Sequence, residues 1–194
     1  MTATGSVGSA TVDVLTVGYA EERVAGTVTL IRDGALVIVV DPGMVAHRSV
    51  ILDPLGALGV TPEAVTDVVL SHHHPDHTIN IALFPNAKVH DFATTYEADI
   101  WTDREPGAFD LGDSVRLLPT PGHTDQDQST IVRTESGIVV LTHLWWTAEG
   151  PADDPFSHDR AQLRASRELV LELAPSLIVP GHGAAFRPDP TTPI

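Results

Sequence analysis

The sequence contains no cysteine at any of its 194 positions. Disulfide bonds and thiolate-ligated metal sites are therefore excluded. A bound metal would have to be held by histidine, aspartate, glutamate or backbone oxygen. Ligands of these types favour zinc, iron or manganese over copper(I) or iron–sulfur clusters.

Basic residues and long apolar runs are also scarce. The chain has 11 lysines and arginines against 26 acidic residues, a formal net charge of −15. This average field repels a polyanion, which disfavours nucleic acid as a partner. No uninterrupted apolar stretch approaches the ~20 residues of a membrane helix, and the start, MTATGSVGSA, lacks the basic and apolar segments of a signal peptide. We therefore expect a cytoplasmic protein without a membrane partner.

The length and the local patterns indicate one α/β domain. A chain of 194 residues can bury a sizeable core without crosslinks, and we expect flexible tails at residues 1–10 and 188–194. Strand patterns occur at residues 11–17, 28–31, 35–40, 67–70, 87–90, 115–118, 130–132, 137–141 and 177–179. Helical patterns occur at residues 45–58, where Pro54 is expected to break the helix, and at 61–64, 78–84 and 161–173.

Residues 92–108 show no regular pattern, although they include Tyr96 and Trp101. An ordinary surface loop is the favoured interpretation of this stretch. A lid over a functional site is the alternative.

Four histidines and an aspartate fall within six positions, directly after the apolar strand pattern at residues 68–70. A buried strand delivers the residues at its end to a fixed place, which favours a site over a surface His-rich tract. Residues two apart in an extended chain point the same way, so His72 and His74 can converge on one metal. The cluster comprises His72, His73, His74, Asp76 and His77.

Two further histidines follow strand patterns and stand beside glycines. His123 lies in the segment PTPGHT and His182 in the segment PGHG. A neighbouring glycine lets the backbone approach a metal closely. We therefore add His123 and His182 to the candidate ligands.

These motifs resemble those of the metallo-β-lactamase superfamily. The segment SHHHPDH at residues 71–77 resembles its His-x-His-x-Asp-His signature. Pro121-Gly122-His123-Thr124 is similar to its third metal motif, and Gly181-His182-Gly183 to its last. Val40-Asp41-Pro42-Gly43 is similar to its Asp-x-Gly segment after the first hairpin. The resemblance extends in the family's order from about residue 25 to 186 and implies an αββα sandwich, in which helices flank two mixed β-sheets.

The resemblance also implies a dinuclear, catalytic metal site. The first metal would be held by His72, His74 and His123, and the second by Asp76, His77 and His182. The expected cofactor is Zn²⁺, one or two ions, with iron or manganese as alternatives. A hydroxide on the metals would be the nucleophile, because metal binding can lower the pKa of water from ~15.7 to ~7. Asp76 would orient that water and carry its proton.

Asp41 is expected to support a ligand histidine from outside the metal site, with a plain turn residue as the alternative. Trp145 and Trp146 are expected to form part of the substrate pocket. Because adjacent residues of an extended chain face opposite ways, one of the two rings can wall the pocket while the other packs in the core. The remaining histidines, His47, His73, His90 and His158, are placed outside the ligand set.

The chain departs from the family at the end of the strand at residues 137–141. The family usually places there an aspartate that bridges both metals, and here His143 occupies that position. A carboxylate can bridge two cations, whereas a neutral imidazole has one free lone pair. We expect His143 to act at the site, as a metal ligand or as a partner of the metal-bound water. The alternatives are that His143 packs beneath the site, or that Asp153 or Asp154 supplies the carboxylate.

Loss of that carboxylate makes the site more positive. The second metal should then bind more weakly, and an anionic small-molecule substrate is favoured. The function predicted is a metal-dependent hydrolase that cleaves an ester-like bond: a thioester, lactone, lactam or small phosphoester. The alternatives are an iron-dependent redox enzyme of the same fold and a non-enzymatic metal-binding module. The fold does not select among these substrates.

Overall fold

The computed structural model describes residues 9–105 and 107–194, so most of the tail predicted at residues 1–10 lies outside the described residues. The strands in chain order are β1 (Thr11–Thr16), β2 (Tyr19–Ala20), β3 (Val24–Ala25), β4 (Val28–Asp33), β5 (Leu36–Val40), β6 (Asp67–Val69), β7 (Lys88–His90), β8 (Thr94–Glu97), β9 (Ile100–Asp103), β10 (Phe109–Asp110), β11 (Val115–Pro119), β12 (Gln128–Thr134), β13 (Gly137–Thr142) and β14 (Leu177–Pro180). The helices are α1 (Ser49–Ala57), α2 (Pro75–Thr78) and α3 (Arg160–Glu172), with 3₁₀ turns at Pro62–Ala64 and Ile81–Leu83.

Two mixed sheets form the centre of the fold. The seven-stranded sheet has the order β1-β4-β5-β6-β7-β8-β9, and the five-stranded sheet has the order β10-β11-β12-β13-β14. Strands β5, β6 and β7 run parallel to one another, as do β13 and β14, while the other pairs in these sheets are antiparallel. The short hairpin β2–β3 stands apart from both sheets.

Three apolar clusters show the order of the layers. One cluster joins the facing sides of the two sheets, with Ile31 and Ile38 from one sheet and Leu117 and Val139 from the other. A second cluster packs α1 on the outer side of the seven-stranded sheet. A third packs α3 on the outer side of the five-stranded sheet. This order confirms the predicted αββα architecture.

The central strands are apolar on both sides because both sides are covered. In β4, Ile31 faces the other sheet while Leu30 belongs to the α1 cluster. In β5, Ile38 and Val39 divide in the same way. Such strands appear as nearly continuous apolar runs rather than as alternating ones. This explains why the runs at residues 28–31 and 35–40 were recognisable as strands.

Residues 92–108 differ from both interpretations of the sequence. They contain the hairpin β8–β9 at the edge of the seven-stranded sheet, and none of its described residues lines the clefts at the histidine cluster. Asp91 fixes the start of the hairpin by accepting hydrogen bonds from the backbone N–H groups of Ala93 and Thr94. The rings of Tyr96 and Trp101 then pair across the strands, with centroids 4.7 Å apart. These contacts stabilise strands that the polar local composition does not predict.

The helices also differ from expectation in detail. Pro54 lies inside α1 rather than breaking it, because Ile51 and Leu55 anchor the helix in the core on either side. The helix expected at residues 78–84 is replaced by the single turn of α2 and a 3₁₀ turn. Helix α3 matches its prediction, and Asp159 caps it by accepting from the N–H groups of Ala161 and Gln162. Among the described residues, no helix has both the length and the apolar composition to cross a bilayer.

Candidate metal centre

The loops after four strands bring six of the candidate histidines together. They follow β6, β11, β13 and β14. His143 is central: its ring centroid lies 4.1 Å from that of His123, 4.5 Å from that of His72 and 5.1 Å from that of His182. The cluster consists of His72, His74, His77, His123, His143 and His182.

The three residues predicted to hold the first metal face one another through ring nitrogens. Nδ1 of His74 lies 3.0 Å from Nε2 of His72 and 3.1 Å from Nε2 of His123. Nitrogens bound to one tetrahedral ion through bonds of ~2.1 Å stand ~3.4 Å apart. Both distances from His74 are therefore close to those expected between ligands of one ion.

The second predicted set surrounds Asp76. Its Oδ2 lies 3.2 Å from Nε2 of His77 and 3.6 Å from Nε2 of His182. Nε2 of His182 in turn lies 3.2 Å from Nε2 of His143. His143 thus joins this set, and it also belongs to a three-histidine group with His72 and His123 in which ligand nitrogens lie within 4.8 Å.

Partners outside the cluster fix the orientation of four of the rings. The backbone carbonyl of Ala25 lies 2.9 Å from Nδ1 of His182. Because a carbonyl oxygen only accepts, Nδ1 carries the hydrogen and the lone pair of the neutral ring sits on Nε2, toward the cluster. The outer partner of His72 Nδ1 is Ser71 Oγ at 3.0 Å, that of His77 Nδ1 is Asp41 Oδ2 at 2.9 Å, and that of His123 Nδ1 is Asp154 Oδ2 at 2.8 Å.

Among the described residues, two fully buried ring nitrogens of the cluster make no hydrogen bond of satisfactory geometry. They are Nδ1 of His143 and Nε2 of His77, and the latter faces the Asp76 carboxylate at 3.2 Å. A buried polar atom without a partner costs ~1–3 kcal/mol. A cation inside the cluster would bind the lone pair of such a nitrogen, and zinc and iron both accept histidine imidazoles as ligands. The arrangement therefore fits a bound metal.

Electrostatics in the cluster keep most of the rings neutral. Burial, together with the charges of neighbouring histidines, holds the pKa of His72 and of His143 well below the ordinary value. His77 differs: burial opposes its charge, but the carboxylates of Asp41 and Asp76 outweigh burial and raise its pKa to about 9. Burial likewise opposes ionisation of Asp76, yet His77 lowers the pKa of Asp76 to about 2. Neutral imidazoles and an ionised carboxylate are the forms that bind a cation, so His77 would have to lose its proton to serve as a ligand.

Asp41 and Gly43 position the loop that carries His74 and His77. Asp41 accepts from the backbone N–H and the hydroxyl of Ser71, both at 2.6 Å, as well as from His77. Asp41 therefore contacts a candidate ligand histidine, as the predicted supporting role requires, and that role stays a prediction. At Gly43 a Cβ atom would stand 1.6 Å from the carbonyl oxygen of Asp76. The Asp-Pro-Gly segment therefore both supports the metal loop and lets it come close.

Neither Asp153 nor Asp154 supplies a bridging carboxylate, so this alternative is wrong. Asp153 is exposed and faces Arg160 at 3.5 Å. Asp154 is buried, but it contacts the outer nitrogen of His123, on the side away from His74. It is instead a supporting residue that the sequence did not reveal, because nothing in the chain pattern shows where the loop after β13 returns.

The two tryptophans divide as adjacent residues do. Trp146 lines a cleft above the cluster, whereas Trp145 is fully buried in the α3 cluster, and its assignment to the substrate pocket is wrong. Trp145 donates from Nε1 to the carbonyl of Pro193 at 2.8 Å. The guanidinium of the buried Arg167 lies over the Trp145 ring, 5.6 Å from the ring centroid.

Two clefts open on the cluster, and Phe156 stands between them. The Trp146 cleft, of about 400 Å³, has His74, His123, His143 and Asp76 at its base and is walled by Ala20, Val24, Met44, Trp146 and Phe156. The Gln126 cleft, of about 320 Å³, shares His74, His123 and Phe156 and is otherwise walled by Thr124, Asp125, Gln126 and His158. A larger groove of about 620 Å³ lies on the opposite side of the β2–β3 hairpin and contains no histidine.

The remaining histidines lie outside the cluster. His73 is half exposed and contacts Asp91 at 3.1 Å. His90 is buried between Asp67, at 2.8 Å, and Thr95, at 3.0 Å. Both rings therefore hydrogen-bond to residues outside the histidine cluster.

Comparison with known proteins points to one family. A model of the metallo-beta-lactamase superfamily matches residues 22–182. Metallo-beta-lactamase domain-containing protein 1 of Xenopus laevis is 34% identical to the chain, over 91% of this chain and 81% of the frog protein. An N-acyl homoserine lactonase of Bacillus cereus is 29% identical, over 66% of this chain and 60% of the lactonase.

Solved structures agree with these sequence matches. The crystal structure of a metallo-beta-lactamase family protein from Thermus thermophilus superposes with a TM-score of 0.67 at 19% identity. The superposition covers 91% of this chain and 74% of that protein. At this identity the likeness concerns the fold.

Proposed function

Because the chain belongs to the metallo-β-lactamase superfamily, we propose that it is a metal-dependent hydrolase of a small ester-like substrate. The observation that carries the proposal is the position of His74 beneath an open cleft. Its Nδ1 lies 3.0 Å from Nε2 of His72 and 3.1 Å from Nε2 of His123. A lactone is the first candidate substrate, since an N-acyl homoserine lactonase is among the relatives. Thioesters, lactams and small phosphoesters are the other candidates.

The chain's own residues have separate tasks in this proposal. His72, His74 and His123 would hold one cation, and Asp76, His77, His143 and His182 a second. A divalent cation bound there supplies Lewis acidity and lowers the pKa of water from ~15.7 toward ~7. Zinc is the first candidate metal, with iron and manganese as alternatives.

Asp76 is placed to orient a water molecule. Its carboxylate lines the Trp146 cleft and is ionised at neutral pH, because its pKa is about 2. An ionised carboxylate accepts hydrogen bonds only, so it can orient a water molecule by accepting one of its hydrogens. His143 lies at the base of the same cleft and is kept neutral by burial. As a neutral imidazole it can bind a cation through a ring nitrogen, whereas burial and the neighbouring histidines disfavour its protonation.

An iron-dependent redox enzyme is a second candidate, because the ligand type permits it. Histidine imidazoles and the Asp76 carboxylate suit iron as well as zinc. Metal analysis after anaerobic purification separates the two candidates. Iron that is lost or oxidised in air would favour redox chemistry.

The test of hydrolysis is a screen of lactones, thioesters, carboxylic esters and phosphodiesters. We expect turnover of at least one class, its loss after chelation, and its return when zinc is restored. His74→Ala should abolish turnover, while His47→Ala, at an exposed position outside the cluster, should leave it unchanged. Turnover that survives both chelation and His74→Ala would contradict the proposal.

A further inference from the structure

The clefts on the two sides of Phe156 meet at the same ring nitrogens. Both the Trp146 cleft and the Gln126 cleft have His74 and His123 in their walls. A molecule whose reacting bond lies at the cluster can therefore extend in two directions. Since a hydrolysed bond has two sides, one cleft is available for each side.

The walls of the two clefts differ in polarity. The Trp146 cleft is faced by the aromatic and aliphatic side chains of Val24, Met44, Trp146 and Phe156. Apart from Phe156 and the two cluster histidines, which both clefts share, the Gln126 cleft is faced by hydroxyl, amide, imidazole and carboxylate groups, and exposed Asp125 supplies the carboxylate. No lysine or arginine lines either cleft among the described residues.

The wall between the clefts is held by a buried carboxylate. Asp154 Oδ1 accepts from the backbone N–H of Phe156 at 2.9 Å. Its Oδ2 accepts from Nε1 of Trp146 and from Nδ1 of His123, both at 2.8 Å. The ring of Phe156 also stacks on that of Trp146, with an interplanar angle of 28°. Asp154 thereby fixes the dividing ring relative to a candidate metal ligand.

We propose that the two clefts bind the two sides of one substrate, an apolar group in the Trp146 cleft and an uncharged polar or cationic group in the Gln126 cleft. This inference rests on the proposed hydrolase function. Burial of apolar groups against Val24, Met44 and Trp146 gives the preference on one side. On the other side, Asp125 and the formal net charge of −15 repel a carboxylate.

The polar cleft limits where a substrate can carry the negative charge that the sequence alone favours. That preference came from the loss of a carboxylate at the centre itself. The Gln126 cleft beside the centre is lined by Asp125 and, among the described residues, by no lysine or arginine. An anionic group on the polar side of the substrate is therefore disfavoured even where the centre is more positive.

Binding of N-substituted hydroxamic acids to the zinc-loaded protein tests the inference without turnover. The hydroxamate chelates the metal, its acyl group is acetyl or hexanoyl, and its nitrogen carries a 2-hydroxyethyl, 2-aminoethyl or carboxymethyl group. We expect the hexanoyl compounds to bind at least tenfold more tightly than the acetyl compounds, because the added methylenes are buried. We expect the carboxymethyl compound to bind about fivefold more weakly than the 2-aminoethyl compound, because of the charge of Asp125 at short range.

Two variants, each with a matched control, assign these preferences to the clefts. Phe156→Ala should reduce the hexanoyl preference to under threefold, while Trp101→Ala, which removes an exposed ring on β9, should leave it intact. Asp125→Lys should remove or reverse the preference against carboxymethyl, while Glu135→Lys on the exposed β12–β13 turn should not. Equal binding of hexanoyl and acetyl compounds, or equal effects of the two lysine variants, would overturn the inference. Failure of every hydroxamate to bind would instead overturn the metal centre of the proposed function.

Discussion

The imidazole of His143 lies so close to Gly181 that no side chain fits between them. A Cβ atom on Gly181 would stand 2.2 Å from Cδ2 and 2.7 Å from Nε2 of His143. Strands β13 and β14 are parallel, and their last paired residues are Thr142 and Pro180, directly before these two positions. The end of one strand therefore sets the position of the ring carried by the other.

Gly181→Ala should displace His143 and weaken the metal centre. We expect zinc affinity to fall at least tenfold and the free energy of unfolding of the zinc-free protein to fall by about 1–3 kcal/mol, as for other overpacked sites. Calorimetric titration and urea unfolding measure the two effects. Gly56→Ala is the control, because a Cβ there meets nothing within 4 Å and alanine favours the helix by about 0.5–1 kcal/mol. Unchanged zinc affinity in Gly181→Ala would show that His143 does not contribute to the centre.

His143→Asp restores the carboxylate that the family usually has at this strand end. An added negative charge beside two cations stabilises both through Coulomb attraction, so the weaker of the two metal affinities should rise at least tenfold. Titration of the metal-free protein with zinc, counting sites by calorimetry, measures it. The same second-site affinity in wild type and variant would place position 143 outside the metal ligands.

The sequence predicted the fold from its apolar strand patterns, and it predicted the candidate ligands because these residues directly follow such strands. Apolar runs such as residues 28–31 and 35–40 are covered on both sides, and the histidines follow strand ends. A buried strand fixes the position of the residues directly after it, so the segment at residues 71–77 carried most of the information. The metal-binding roles of these residues stay predictions.

Features that depend on distant contacts could not be read from the chain. Asp154 meets His123 across 31 positions and Trp145 meets Pro193 across 48. The hairpin β8–β9 depends on the Asp91 hydrogen bonds and on the Tyr96–Trp101 pair rather than on an apolar run. No periodicity within the local segment encodes such partners.

Asp41→Asn tests the support of His77 from outside the cluster. The variant keeps the size of the side chain but removes the charge that faces His77 Nδ1 at 2.9 Å. We expect zinc affinity to fall about 10- to 100-fold, the usual effect of losing such a partner. Competition with a chromophoric chelator measures it, and Asp53→Asn on the exposed face of α1 is the control. If the two variants bind zinc equally well, Asp41 is a turn residue only.

Asp67→Asn tests a buried pair distant from the metal loop. Burial would raise the pKa of Asp67, but the hydrogen bonds from His90 and Thr66 outweigh it and hold the pKa below its ordinary value. A carboxylate with a lowered folded pKa stabilises the protein above its unfolded pKa of ~3.9, and this contribution is lost as the pH falls through the folded pKa.

We therefore expect Asp67→Asn to lower the free energy of unfolding by about 1.5–3 kcal/mol at pH 7. The difference from wild type should begin to shrink below about pH 4, where Asp67 of the unfolded chain takes up a proton while Asp67 of the folded protein, with its lowered pKa, stays ionised. Urea unfolding of the chelator-treated protein across this range measures it. A difference that stays constant from about pH 7 to about pH 3 would mean that the charge of Asp67 does not contribute.

The zinc content of His72→Ala and His123→Ala tests the metal centre most directly. Each variant removes a ring nitrogen that lies 3.0 or 3.1 Å from Nδ1 of His74, and three protein ligands are what a catalytic zinc ion needs. After equilibration with zinc and removal of the excess, wild type and His47→Ala should retain at least one tightly bound equivalent. Both cluster variants should have lost it. Retention of a full equivalent by either cluster variant would contradict the account.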